Sequence, residues 1–322
     1  NEEDSNHTAN PQFDQVLDTC LSRRGLLRGA AGAAGAGVLG ASTLSGCATA
    51  GGASGTTGPA LTSLGFKPVA KSLADKVVVP EGYTAQIIYA LGDPLAAGVP
   101  AFKNDGTDTA FEQRAGDHHD GMEWFGLDAS GKPSNSFNSR GLLAMNHEAT
   151  TDEKLSSFFI HANGGTASLP RPAAEVDKEL AIHGLSVVEV MSNGKQWTTQ
   201  PGSAFNRRVT SMTPATLHGP ARGSEHLVTK FSTDATLCRG TLNNCGTGKT
   251  PWGTFVSGEE NWYGYFSRDA KDDDRRKKDK QVQALNRYGR KAGAPSRHGW
   301  ESGGASDTYT RWNNSAVGAS AK

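Results

Sequence analysis

The sequence predicts an all-β fold, closed or radial, with a β-propeller preferred, and three observations carry that prediction. Runs rich in β-branched and aromatic residues are short, irregular polar segments separate them, and glycine is abundant, at 40 of 322 residues. Long irregular excursions can leave propeller blades on one face, which suits this spacing. The chain is short for a complete large propeller, so an incomplete N-terminal part of one is expected. A start without Met and an end at "TRWNNSAVGASAK" with no element finished point to a fragment.

The N-terminus reads as an address. Arg23 and Arg24 in "SRRGLLRG" precede a weakly apolar Ala/Gly/Leu stretch, the pattern of a twin-arginine export signal. That stretch is too rich in Gly and Ala for a membrane span. It ends at "LSGC", where small residues before Cys47 resemble a lipoprotein processing site, so Cys47 is either lipidated or close to a simple cleavage point. Residues 1–47 are therefore assigned to the signal region, 48–68 to a Gly/Ser/Thr-rich linker and 69–322 to the propeller domain. The expected location is outside the cytoplasm, periplasmic or extracellular, tethered to a membrane if Cys47 carries lipid.

Within the domain, "TAQIIY", residues 84–89, is the first strand candidate, closed by Gly92 and Pro94. "FEQRAGDHHDGMEWFGLD" follows, then "SRGLLAMNHE", "IHGLSVVEVMSNGKQWTT" with Ser-Asn-Gly as a hairpin turn, "EHLVTKF" and "WGTFVSGEENWYGYF". "AAEVDKELAIHG" is the main helical exception. "DAKDDDRRKKDKQVQALNRYGRK" reads as a solvated loop leading into a short helix; it lacks the turn glycine of an EF-hand and receives no catalytic role.

Acidic and basic residues balance at 33 each, which gives no electrostatic footprint for nucleic acid. "GKT" at 248–250 is not a phosphate loop, because the glycine required five positions earlier is absent and Pro251 blocks a following helix. Interest moves to Cys245, Glu259 and Glu260. Cys238 and Cys245 are the two cysteines of the domain. Spacing in an oxidising compartment favours a disulfide closing a short loop, whereas the neighbouring motifs favour Cys245 as a metal thiolate.

In "LLAMNHEAT" strand alternation puts Asn146 and Glu148 on one face and His147 on the other, pairing an amide oxygen with a carboxylate. Such hard donors suit Ca²⁺, while a thiolate favours a softer or more oxidising metal. "GDHHDG" gathers Asp117, His118, His119 and Asp120, which a polar turn also explains. Glu259 and Glu260 fall on opposite faces of a regular strand unless a bulge at Gly258 intervenes.

The ordered set "GDHHDGMEWF", "GLLAMNHE", "HGLSVVEV" and "CGTGKTPWGTFVSGEEN", behind a twin-arginine leader, resembles the PhoX-type alkaline phosphatase family from about Val77 to the C-terminus. The resemblance implies an exported, six-bladed β-propeller phosphomonoesterase whose central site holds Ca²⁺ and Fe³⁺. It implies Cys245 as an iron thiolate, Glu259 or Glu260 in the same cluster, oxygen donors from Asn146 and Glu148, and a weaker role for Asp120. His118 and His119 stand where the family more often has Asn-Asn, and the family is about twice this long. A bridging oxide or hydroxide would attack phosphorus, with no Ser or His nucleophile. A monomer is expected, with phosphate monoesters and the twin-arginine machinery as partners. The alternative from another class is a non-catalytic, calcium-stabilised propeller lipoprotein of the cell surface.

Overall fold

The computed structural model describes residues 67–136, 138–150, 160–277 and 279–315. The Arg23-Arg24 pair, Cys47 and almost all of the 48–68 linker lie outside the described residues. Contacts gather Pro68–Lys322 into one unit, separate from Asn1–Lys67.

Antiparallel β-structure dominates. β1 (His119–Gly126), β2 (Arg140–His147), β3 (Gly184–Ser192) and β4 (Trp197–Thr199) pair in sequence order, and β5 (Arg207–Val209) also pairs with β3. β6 (Pro214–Thr216) pairs with β7 (Leu237–Arg239), and β8 (Asn244–Lys249) with β9 (Phe255–Glu259). Between β2 and β3 lies α1 (Ala173–Ile182). The C-terminal part adds α2 (Asp272–Arg276), α3 (Lys280–Arg287) and α4 (Asp307–Thr310). No helix among the described residues is long and apolar enough to cross a membrane. These are open antiparallel sheets.

Strand placement follows the alternation of the sequence, with instructive exceptions. β2 and β3 run in unbroken register from Arg140↔Met191 to His147↔Gly184, and both are buried along most of their length. The "SNG" turn closes β3 on β4 as expected, Asn193 N–H donating to Gln196 O at 3.1 Å. Residues 84–89 form no strand. There the side chain of Gln86 supplies the pairing, its Nε2 donating to Trp197 O at 2.8 Å and its Oε1 accepting from Trp197 N at 3.1 Å. "EHLVTKF" is a 3-10 turn at Glu225–Leu227 rather than a strand, capped by Ser224. The "WYGY" end of the β9 segment is likewise 3-10, entered through a left-handed Asn261.

The run "DAKDDDRRKK" departs furthest from expectation. Arg268 and Asp272 have fully buried side chains and pair at 2.7 Å, and Arg276 approaches Asp272 at 3.2 Å. A pattern of i, i+4 charges thus closes inward around Asp272 instead of facing water.

Three apolar clusters fill the interior, the smallest around Phe111, Ile160 and Ile182, and the other two are the larger. One packs Tyr89, Leu95, Leu143, Met145, Val188 and Val190 on a face of the five-stranded sheet, with Trp124 and Trp197 edge to face over it. The other joins Val176 and Leu180 of α1 to Leu242, Tyr265, Trp300 and Trp312. Glu179 enters this second cluster and is satisfied there by His161 Nε2 at 3.0 Å, by Trp300 Nε1 at 2.6 Å and by Arg171. His183 and His298 lie in the same aromatic layer. Burial pushes them down to about 4 and about 3, so both are neutral at pH 7.

This burial makes the fold acid-sensitive. In the unfolded chain an imidazole protonates near pH ~6.5, whereas the folded His183 and His298 resist protonation until the pH is far lower. Between those values the unfolded state binds more protons, so stability is complete above about pH 6.5 and declines as pH falls. Each group contributes up to about 1.4 kcal/mol per pH unit over that window. His298 Nε2 is buried with no hydrogen-bond partner, so His298→Phe should keep the fold and flatten the decline by about one proton. Urea unfolding of wild type and variant, compared at about pH 7.5 and about pH 5, checks this.

Candidate metal centre

Two β-bulges face one another where β1 packs beside β8. Register along β1 and β2 shifts between His119 and Met122, and along β8 and β9 between Asn244 and Thr247. A bulge turns a side chain out of its alternating direction. The first falls at Asp120–Gly121 and the second at Cys245–Gly246. The bulge expected at Gly258 therefore sits in the partner strand, directly opposite that residue.

Gly121 is what allows the approach. A Cβ there would lie 2.5 Å from Cys245 O and 2.6 Å from Thr247 Cγ2. With only hydrogen in that space, the Asp120 carboxylate comes close enough to the Cys245 thiol to be the largest cause of its raised pKa.

The second tie comes from β2. Asn146 is wholly buried; its Nδ2 donates to Cys245 O at 2.8 Å, and its Oδ1 accepts from Ser257 Oγ at 2.8 Å. Glu148 follows two residues on, held by its N–H to His118 O at 3.0 Å, and its Oε1 accepts from Asn243 Nδ2 at 3.1 Å. His147, between them, points the other way and meets Ser186 Oγ at 2.8 Å. Strand alternation thus sets both Asn146 and Glu148 toward β8 and β9.

The two glutamates at the end of β9 separate. Glu260 faces Cys245 and Glu148 and raises the pKa of both. Glu259 turns to the opposite side, where its Oε1 accepts from Leu242 N at 3.1 Å and its charge acts on Cys238. Cys238 and Cys245 are both free thiols, so the loop-closing disulfide is not formed.

Asp120, Glu148, Cys245 and Glu260 consequently share one electrostatic environment. The Asp120 hydrogen bond, followed by desolvation and the charges of Asp120, Glu260 and Glu148, pushes the Cys245 thiol up to about 12. Desolvation and then the Asp120 and Glu260 charges raise Glu148. No lysine or arginine takes part in either shift. Among the described residues no three His, Cys, Asp or Glu side chains converge tightly enough to hold an ion as they stand. Mutual repulsion of carboxylates opposes closer approach.

The donor chemistry nevertheless fits a cation. Three carboxylates and a thiol face one region, and Asn243 adds a buried amide oxygen, Oδ1, with no hydrogen-bond partner beside Glu148. A positive charge would lower both raised pKa values and give Asn243 a use for that oxygen. Asn243 was not among the residues expected here. Its signal is the first of two adjacent asparagines before Cys245: Asn243 sits at φ 50°, the left-handed region that Asn tolerates.

His118 and His119 do not join the group. His118 Nδ1 meets Ala149 O at 3.1 Å, while His119 stacks on Tyr89 at 5.2 Å and approaches Gly116 O. Lys249 of the "GKT" sequence is occupied structurally: its Nζ donates to Trp124 O at 2.7 Å and lies over the Phe125 ring.

Comparison with known proteins now bears on this geometry. The sequence model of the family described as "Alkaline phosphatase PhoX" matches residues 64–302. A solved structure, Pseudomonas fluorescens PhoX in complex with vanadate, a transition state analogue, is similar at 31% identity and a TM-score of 0.63. The match covers 78% of this chain and 39% of that one, so the chain spans well under half of that relative. No curated protein matches.

The close approach at Gly121 can be tested directly. Gly121→Ala forces β8 away from β1 and should lower stability by about 1–3 kcal/mol, as overpacking does. Gly248→Ala, on β8 itself but with nothing within 4 Å of its added carbon, should change stability far less. Urea midpoints of the two variants make the comparison.

Proposed function

The chain belongs to the alkaline phosphatase PhoX family, and from that membership we propose that the whole protein is a metal-dependent phosphomonoesterase. The observation that carries this reading is the junction of the two bulges. Asp120, Cys245, Glu148 and Glu260 share one electrostatic environment there, with neither Lys nor Arg among the causes of the Cys245 and Glu148 shifts, in a family whose similar solved member binds vanadate as a transition state analogue.

Each residue has a distinct task. Asp120, Glu148 and the Asn243 carbonyl oxygen are hard donors suited to Ca²⁺; Cys245, with Glu260, is suited to Fe³⁺. Asn146 holds the Cys245 carbonyl and Ser257 and so fixes the backbone that presents the thiol, the role of an outer shell. Cations bound at such donors neutralise the phosphate dianion and activate water for in-line attack. Glu260 is exposed, leaving one side of the group open to a substrate. Neither Ser nor His is needed as nucleophile. A ring of six blades, twin-arginine export and a lipid at Cys47 belong to the same reading of the whole protein.

Four substitutions in the whole protein separate the faces of β9. Cys245→Ser and Glu260→Gln should lose bound metal and reduce p-nitrophenyl phosphate hydrolysis by at least about tenfold, the smallest loss expected when metal-site residues are removed. Cys238→Ser and Glu259→Gln should retain both. Metal analysis alongside the assay, with and without chelator, distinguishes loss of an ion from loss of catalysis. Metal retained without hydrolysis in the wild type would favour the non-catalytic lipoprotein.

A further inference from the structure

The far side of β9 carries a second group that the metal centre does not use. A cavity of ≈ 300 Å³ is walled by Leu217, Phe231, Leu242, Trp262, Phe266 and Leu285, with Arg311, Arg239, Asn314, Cys238 and Glu259 among its polar members. That volume is at the small end of the range for organic ligands, and an apolar wall with placed polar groups is the usual composition.

The polar members are unusual. Arg311 is 8% exposed and Asn314 4%. Arg311 Nε has no hydrogen-bond partner, and Nη1 reaches only Ser211 O at 3.5 Å and the Met212 sulfur at 3.7 Å. Asp307, the nearest candidate counter-ion, is taken by Arg239. Asn314 Oδ1 is also buried without a partner. Burial and the Arg239 charge bring the Arg311 guanidinium down to about 10, so it remains charged at pH 7. A buried guanidinium with no carboxylate in hydrogen-bond contact is costly, and the planar fork of Arg suits a carboxylate in two-point contact.

We infer that this cavity binds a small amphipathic monoanion, a carboxylate with an aromatic or aliphatic body, its head on Arg311 and its body against the apolar wall. The charge is limited to one by the surroundings. Glu259 and Asp307 offset Arg311 and Arg239, so a phosphate dianion would bring a second negative charge against Glu259. The apolar wall excludes a bare inorganic anion. The site stands apart from the phosphatase reading: its residues lie on the face of β9 that Glu259 occupies, away from Glu260.

The probes are 4-phenylbutyrate and its neutral counterpart 4-phenylbutanol, titrated calorimetrically into the whole chain. The carboxylate should bind at least about tenfold more tightly than the alcohol, the difference one charge-assisted contact makes. It should also slow alkylation of Cys238, which lines the cavity, and leave Cys245 unaffected. Arg311→Met should abolish the preference for the carboxylate. Leu285→Trp, which fills the cavity and keeps the charge, should abolish binding of both probes and controls for any misfolding of the first variant. Equal affinity for acid and alcohol, binding that persists in Leu285→Trp, unprotected Cys238, or no heat with either probe would each overturn the proposal.

Discussion

The buried amide of Asn146 is the contact on which the site depends. It is the side chain of the five-stranded sheet that grips both strands of the β8–β9 hairpin, one end on the Cys245 carbonyl and the other on the Ser257 hydroxyl. A buried amide in that position must be satisfied at both ends, or it loses roughly 1–3 kcal/mol. The hairpin is therefore held at one height along β2, and that height brings the β8 bulge opposite the β1 bulge. Gly121 then permits contact where any other residue would hold the strands apart. With Lys249, which donates to Trp124 O, the amide ties the two sheets that carry Asp120 and Cys245.

β9 partitions the chemistry. Residues 259 and 260 are neighbours in sequence, yet the alternation at the end of a strand gives one to each side. Glu260 joins an environment dominated by carboxylates, and Glu259 joins one where guanidinium groups and carboxylates nearly balance. The two free cysteines follow the same division. Cys238 on β7 looks into an apolar cavity and responds to Glu259; Cys245 on the β8 bulge responds to three carboxylates. The difference in surroundings, more than the spacing, is what makes these thiols unlike.

Much of this was legible in the sequence, and the limits have physical causes. β2 and β3 could be placed because their apolar alternation is long and uninterrupted. Asn146 and Glu148 could be set on one face from period-two geometry alone. The 84–89 segment has the same composition as a strand but pairs through Gln86, a side-chain contact that no period encodes. The buried Asp272 was hidden because a charged run has the same pattern whether its i, i+4 partners face water or one another. Asn243 was missed because its contribution rests on a left-handed backbone and an unpaired amide oxygen, both set by the fold around it.

β2 also separates two regions of opposite charge. On its inner side Arg208 is half-buried and donates to backbone carbonyls, among them those of Arg114, Ala181, His183 and Leu185. Its positive charge adds to burial in keeping His119, His147 and His183 neutral. On the outer side lie Asp120, Glu148 and Glu260. Asn146 and His147, consecutive residues, face these two regions in turn. A cation is disfavoured on the inner side, where a guanidinium already stands and the imidazoles are held neutral, and favoured on the outer side, where carboxylates predominate. The sheet itself thus sets a difference in charge between its two faces, and Arg208, remote from the carboxylates, contributes to it.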